Sequence, residues 1–217
     1  MFATEPLRIV AVSAGLSNPS STRLLADRLA AATREQLETG QDRPVEVRVI
    51  ELRDLAVDIA GHLVSGFPPA ALEDALAAVT GADGLIAVTP VFTASYSGLF
   101  KSFFDLVENT ALTGKPVLIA ATGGTARHSL VLEHAMRPLF AYLRAVTLPT
   151  SVYAASEDWG AAGDAYADGL PVRIRRAGGE LAHAVTGGGT VSGASRAPGP
   201  DDEVVPFAQQ LAALRPA

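Results

Sequence analysis

Short apolar runs that alternate with helix-like stretches constrain this chain more than any other feature of its sequence. The runs "LRIVAV" (7–12), "VEVRVIEL" (45–52), "GLIAVTP" (84–90), "KPVLIAAT" (115–122) and "TSVYAA" (150–155) are short, rich in β-branched residues and bounded by small or polar ones. Each reads as a strand. The stretches between them carry helical periodicity: in "TRLLADRLAAATREQLE" (22–38), Leu24, Leu25, Leu29, Ala32 and Leu37 recur at helix spacing. Strand and helix in strict alternation require parallel strands joined by crossovers, with helices on both faces of one sheet.

Further helices are expected over 71–83, ending near Gly81, over 98–109, over 129–145 and over 165–185. Pro138 falls inside the third of these and should kink or break it, because its ring displaces a backbone N–H and crowds the preceding turn. The stretch that runs through Phe67-Pro68-Pro69 reads as irregular. Five strands at this cadence fit an α/β class, a flavodoxin-like doubly wound parallel sheet with strand order 2-1-3-4-5. Beyond Ala184 the texture changes to Gly, Ser and Pro, then regains an apolar pattern at Phe207, Leu211 and Leu214. The chain therefore divides into one domain over 1–185 and, over 186–217, a flexible linker with a short C-terminal helix.

Composition removes several classes of function. The formal net charge is −6 and the adjacent basic pair Arg175-Arg176 stands alone, so neither nucleic acid nor an anionic membrane is an expected partner. Without Cys there is no disulfide framework and no thiolate chemistry. No stretch approaches the roughly 20 apolar residues of a membrane span, and the N-terminal run lacks a signal-peptide pattern, which makes the cytoplasm the expected location. No metal-binding spacing and no G-x-S-x-G elbow occurs.

In such sheets ligands bind beyond the carboxyl ends of the strands, so three loops matter most. The first, "SAGLSNPSSTR" (13–23), crowds the hydroxyls of Ser13, Ser17, Ser20, Ser21 and Thr22 around Gly15 at the start of the first helix. A helix needs one hydroxyl as a cap; this cluster, with free N–H groups and a positive dipole end, suits a phosphate. It matches neither a Walker A loop nor G-x-G-x-x-G. The second, 89–108, runs from Thr89-Pro90 through Val91, Phe92, Thr93 and Ser95 to a helix start at Ser97-Gly98, and its backbone groups suit the polar edge of a flat heterocycle. The third, "ATGGTARHS" (121–129), places Thr122, Gly123 and Gly124 where a ring can approach bare backbone, with Arg127 and His128 just beyond. His62, His134 and His183 have no such neighbours and read as packing or surface residues.

Taken together, "SAGLSNPSSTR", "TPVFTASYSGLFKSFFDL" and "ATGGTARHSLVLEHAMRPLF" resemble the NAD(P)H-dependent FMN reductases of flavodoxin-like fold, in particular those that feed luciferase-like two-component monooxygenases. The likeness covers about Leu7 to Tyr153. It implies that Ser13, Ser20, Ser21 and Thr22 hold the FMN phosphate. Pro90, Val91, Phe92, Thr93 and Ser95 would border the isoalloxazine, and Thr122, Gly123 and Gly124 would approach it from the other side, with Arg127 and His128 on the nicotinamide side. It further implies FMN with NADPH or NADH as cofactors, a homodimer or homotetramer, and a flavin-dependent monooxygenase partner. Where the wider family has G-S-x-R, this chain has Ser13-Ala14-Gly15-Leu16, which leaves the phosphate without that arginine; Arg23 is the nearest substitute. An FMN-retaining quinone or azo-dye reductase and a non-enzymatic flavodoxin-like electron carrier are the competing readings. The carrier fits less well, since such proteins dock by strong charge complementarity and this chain is only modestly acidic.

Overall fold

A computed structural model describes residues 5–40, 43–159 and 169–187. The long strands β1 (Leu7–Ser13), β2 (Val45–Glu51), β3 (Gly84–Phe92) and β5 (Pro116–Gly123) run parallel. Two short segments, β6 (Val146–Thr147) and β7 (Val152–Ala155), pair in parallel with successive parts of β5. They occupy the place of one fifth strand, interrupted at Leu148–Ser151, where Pro149 has no N–H to give to a ladder. The order is thus β2-β1-β3-β5 and then β6 with β7, the 2-1-3-4-5 arrangement of the flavodoxin-like class. A two-residue strand β4 (Ser95–Tyr96) folds back antiparallel on the end of β3.

Residue parity sorts the sheet between two helical layers. Ile9, Ala11, Ile86, Val88, Leu118 and Ala120 pack on Leu25 and Leu29 of α1 (Ser21–Gly40) and on Ile174 and Leu181 of α6 (Leu170–Val185). Val10, Val12, Leu85, Ala87, Val117 and Ile119 face the other layer. That layer holds α2 (Ala56–Ser65), α3 (Ala70–Gly81), α4 (Gly98–Phe104) and α5 (Arg137–Tyr142). Its centre is the aromatic cluster Phe100, Phe104 and Phe140, with ring centroids 4.7–6.3 Å apart in tilted and edge-on geometries.

Three elements differ from the sequence expectation. The irregular stretch contains a helix, α2, which follows a 3-10 turn at Leu52–Leu55. Its apolar residues lie all round: only Ile59 is buried while Val57 and Val64 are exposed, so no one-sided pattern announces it. It stops at Gly66, whose φ of 76° closes the left-handed cap with its N–H on the His62 carbonyl. The helix expected over 98–109 ends at Phe104. The stretch 129–145 switches helix type, with a π-turn at Leu132–Met136 feeding α5, where Pro138 sits at the helix start. The wider turn gives the proline ring room against the carbonyl it would otherwise strike. The linker and C-terminal helix expected over 186–217 lie outside the described residues from 188 onward. No single helix among the described residues is long and apolar enough to cross a membrane.

Candidate functional site

The loops that follow β1, β3, β5 and β7 meet around a cleft of about 450 Å³. Leu16, Ser17, Ser20, Ser21 and Thr22 line it from the first loop, Pro90, Val91 and Phe92 from the end of β3, and Thr122, Gly123 and Gly124 from the end of β5.

The first loop is built around a cap. Ser20 precedes α1, and its Oγ accepts the Arg23 N–H at 3.2 Å while its carbonyl accepts the Leu24 N–H at 3.0 Å. The next hydroxyls, Ser21 and Thr22, sit in the first helical turn, where backbone N–H groups have no partner within the helix. Gly15 passes so close that a Cβ there would lie 2.0 Å from the Ser20 Oγ. From the far side, Arg53 donates to the Ser17 carbonyl at 2.9 Å and holds the loop down. Thr22 is buried and its Oγ1 meets the Thr122 Oγ1 at 2.7 Å, a hydrogen bond that spans 100 residues of sequence and joins α1 to β5. Beneath them Ser13 is 1% exposed, and its Oγ has no hydrogen-bond partner.

The second wall is a hairpin. Phe92 pairs with Ser95 and Val91 with Tyr96, which leaves Thr93-Ala94 as the two-residue turn. Their φ values are 48° and 65°. Both central residues at positive φ define a type I′ turn, which Asn-Gly fills without strain; a β-branched Thr there costs on the order of 1–2 kcal/mol. The base of the hairpin is tied by Thr89, fully buried, whose Oγ1 donates to the Pro90 carbonyl and accepts the Ser97 N–H, both at 3.0 Å. Phe92 is left 46% exposed at the cleft mouth.

The third wall needs its glycine. A Cβ on Gly123 would lie 2.0 Å from the Tyr153 Oη, and that hydroxyl donates to the Thr125 carbonyl at 2.8 Å. Burial, with Asp158 and Glu157 adding negative charge nearby, pushes the Tyr153 phenol up from its usual range, so it remains a donor.

The sequence expectations divide accordingly. Ser20, Ser21, Thr22, Pro90, Val91, Phe92, Thr122, Gly123 and Gly124 line one cleft. Ser13 lies buried below it, and Thr93 forms the exposed hairpin turn. Ser95 faces a separate groove of about 770 Å³, shared with Tyr96, Lys101, His134 and Tyr142. Arg127 and His128 sit on an exposed turn (Ala126–His128) just past Gly124. Arg23 turns away from the hydroxyls: its guanidinium bonds Asp27 at 2.8 Å and Glu51 at 2.7 Å. The hydrogen bond to Asp27 leads the rise in its pKa.

Ser156 and Trp159 also line the cleft, on a 3-10 turn directly after β7. Asp158 fixes that turn by accepting the Ala155 N–H and an Arg173 N–H, each at 2.7 Å, and the Arg28 guanidinium stacks 5.1 Å above the Trp159 ring. A four-residue turn carries no periodic pattern; its one sequence signal is position, since it immediately follows a strand carboxyl end.

The arrangement offers a hydroxyl-lined helix start for an anion, apolar and backbone walls for a flat ring, and no acid–base pair. A group of three or more potential metal ligands is absent among the described residues. Comparison with known proteins gives the same direction. Residues 7–160 match the family model described as NADPH-dependent FMN reductase. An FMN reductase (NADPH) of Pseudomonas aeruginosa is 46% identical over 72% of this chain and 81% of its own length. An NADH-dependent FMN reductase, SfnF, of Pseudomonas fluorescens is 44% identical over 72% of this chain and 80% of its own. The crystal structure of an oxidoreductase from Corynebacterium diphtheriae superposes with a TM-score of 0.79 at 44% identity, covering 84% of this chain and 98% of that one.

Proposed function

Since the chain belongs to the NADPH-dependent FMN reductase family, an oxidoreductase family using FMN and a nicotinamide nucleotide, we propose that the four-loop cleft is where it holds FMN. The observation that carries the assignment is the Thr22–Thr122 contact, 2.7 Å long, which brings the hydroxyl-rich helix start against the glycine loop. The residues suit the group. Ser13 supplies a buried hydroxyl with no protein partner, and Gly15 and Gly123 keep the walls free of side chains where a Cβ has no room. In this reading Ser20, Ser21 and Thr22, with the N–H groups of the first turn of α1, hold the phosphate. Pro90, Val91 and Phe92 border one side of the ring, Thr122, Gly123 and Gly124 the other, and Trp159 closes the cleft from β7. Ser13 supports the phosphate loop from below, and Thr93 and Ser95 shape the hairpin.

When bound, FMN would supply the hydride-accepting chemistry at this site. The protein contributes alignment: two walls fix the ring plane, and the partly exposed Phe92 leaves one approach open to a nicotinamide. Backbone N–H groups of the two loops would be the donors toward the polar edge of the ring. In this reading the reduced flavin would serve a flavin-dependent monooxygenase of the luciferase-like type, in keeping with the similarity to the NADH-dependent FMN reductases SfnF and SfnE of Pseudomonas. A homodimer or homotetramer belongs to the same proposal, with exposed Leu130, Tyr142 and Val146 as the apolar surface to be covered.

Trp159 is the sole tryptophan, so its fluorescence reports on the cleft. FMN titration should quench it saturably, NAD(P)H oxidation should require added FMN, and Ser20→Ala with Ser21→Ala should weaken flavin binding by about tenfold or more. Unquenched Trp159 together with undiminished flavin affinity in the double variant would overturn the assignment.

A further inference from the structure

We propose that Arg127 selects NADPH over NADH by meeting the ribose 2′-phosphate at the rim of the cleft. This rests on the reading of the cleft as the FMN site. A cleft of about 450 Å³ lies toward the lower end of ligand sites and takes one flavin-sized molecule, so a dinucleotide that delivers hydride must lie across its mouth. What the mouth presents therefore decides which nicotinamide nucleotide binds. The two relatives described above divide on the point, one being named for NADPH and the other for NADH.

The cations around the cleft are accounted for one by one. Arg23 is bonded to Asp27 and Glu51. Arg53 holds the Ser17 carbonyl and lies 3.2 Å from Glu51 and 3.4 Å from Asp54. Arg173 is bonded to Asp158 and the Tyr153 carbonyl, and Arg28 covers Trp159. Arg127 differs: it is exposed, and among the described residues no hydrogen bond, ion pair or ring contact engages it. It also stands on a fixed backbone. The Thr125 carbonyl is held by the Tyr153 hydroxyl at 2.8 Å, and the Ser129 N–H closes the turn onto the Ala126 carbonyl at 3.1 Å. A tethered turn with a free guanidinium, three residues past the Gly124 that lines the cleft, is organised to receive a dianion in a bidentate grip. Glu157 lies on the turn after β7, the strand that pairs with β5, so a dianion held by Arg127 must sit clear of that carboxylate.

Steady-state oxidation of NADPH and NADH by the full chain with saturating FMN tests this. The wild type should favour NADPH. Arg127→Ala should lower kcat/KM for NADPH by about tenfold, through KM, with NADH unchanged within about twofold. Arg127→Lys should retain part of the preference, because an ammonium keeps the charge but loses the bidentate geometry. Quenching of Trp159 by FMN should be the same in all three proteins, which shows the fold and flavin site intact. Equal losses with both nucleotides, or a wild type indifferent to the 2′-phosphate, would overturn the proposal while leaving the flavin site standing. A wild type that oxidises neither nucleotide in the presence of FMN would overturn the reading beneath it as well.

Discussion

Gly123 and Gly124 are adjacent, yet their surroundings assign them different tasks. A Cβ on Gly123 would collide with the Tyr153 Oη, whereas a Cβ on Gly124 meets nothing within 4 Å. The tyrosine cannot simply rotate aside, for it is 5% exposed and its hydroxyl holds the Thr125 carbonyl. Gly123→Ala should therefore cost about 1–3 kcal/mol of stability through overpacking and the strained tyrosine bond, and should loosen the loop that carries Arg127. Gly124→Ala should leave the unfolding midpoint near that of the wild type. Urea unfolding of the two variants side by side checks this, and equal midpoints would show that the close approach to Tyr153 is not what fixes the loop. The sequence marked both glycines as a place for a ring to meet backbone, but gave no means to tell them apart. The distinguishing atom lies 30 residues away, on a strand whose register is set only by the folded sheet. Thr93-Ala94 is similar: nothing in a threonine beside an alanine announces two successive residues at positive φ.

At the scale of elements, α1 and α6 cover one face of the sheet and touch through another glycine pair. A Cβ on Gly178 would come within 2.9 Å of the Thr33 backbone nitrogen and 3.0 Å of the Ala32 carbonyl carbon, atoms of α1 that cannot yield without moving the helix. At Gly179 there is open space. Gly178→Ala should thus destabilise by about 1–3 kcal/mol, and Gly179→Ala should stabilise by about 0.5–1 kcal/mol, because alanine is the better helix former in a site that accepts it. Thermal unfolding of both variants reads the two signs, and a shift in the same direction for both would contradict the close packing of the helices. This crossing matters to the cleft, since α1 brings Ser20 to Thr22 and α6 brings Arg173 to the turn of Trp159. Elements with a clear apolar signature were legible: the helices α1 and α3 and the doubly buried strands β3 and β5 stand where the sequence puts them. The pattern missed α2, which is apolar all round, the π form of the break that Pro138 was expected to impose, and the short β6 ahead of Pro149. Those failures share a cause, for each is settled by tertiary neighbours rather than by local periodicity.

The cleft exists only in the whole molecule. Its walls come from the ends of four strands, from Leu16 to Trp159, 143 positions apart in sequence, and the unfolded chain has no equivalent site. The hydroxyl cluster and the two later loops were readable separately; that they converge follows from the strand order, which places β1, β3 and β5 side by side. Trp159 joined them unannounced, because a single turn after β7 carries no signal apart from that topology. A ligand that binds the folded state alone must stabilise it by mass action, by about 2.7 kcal/mol at a free concentration one hundred times its Kd. For a chain of this length that amounts to a rise in Tm of about 5–10 °C. FMN should produce that rise, with the quenching of Trp159 saturating over the same concentration range. NADPH alone should produce much less, because it is expected to lie across the mouth of the cleft rather than fill it. An FMN-induced shift that appeared without quenching would locate the flavin elsewhere on the protein. Absence of both would mean that four strand ends meet here for some other ligand.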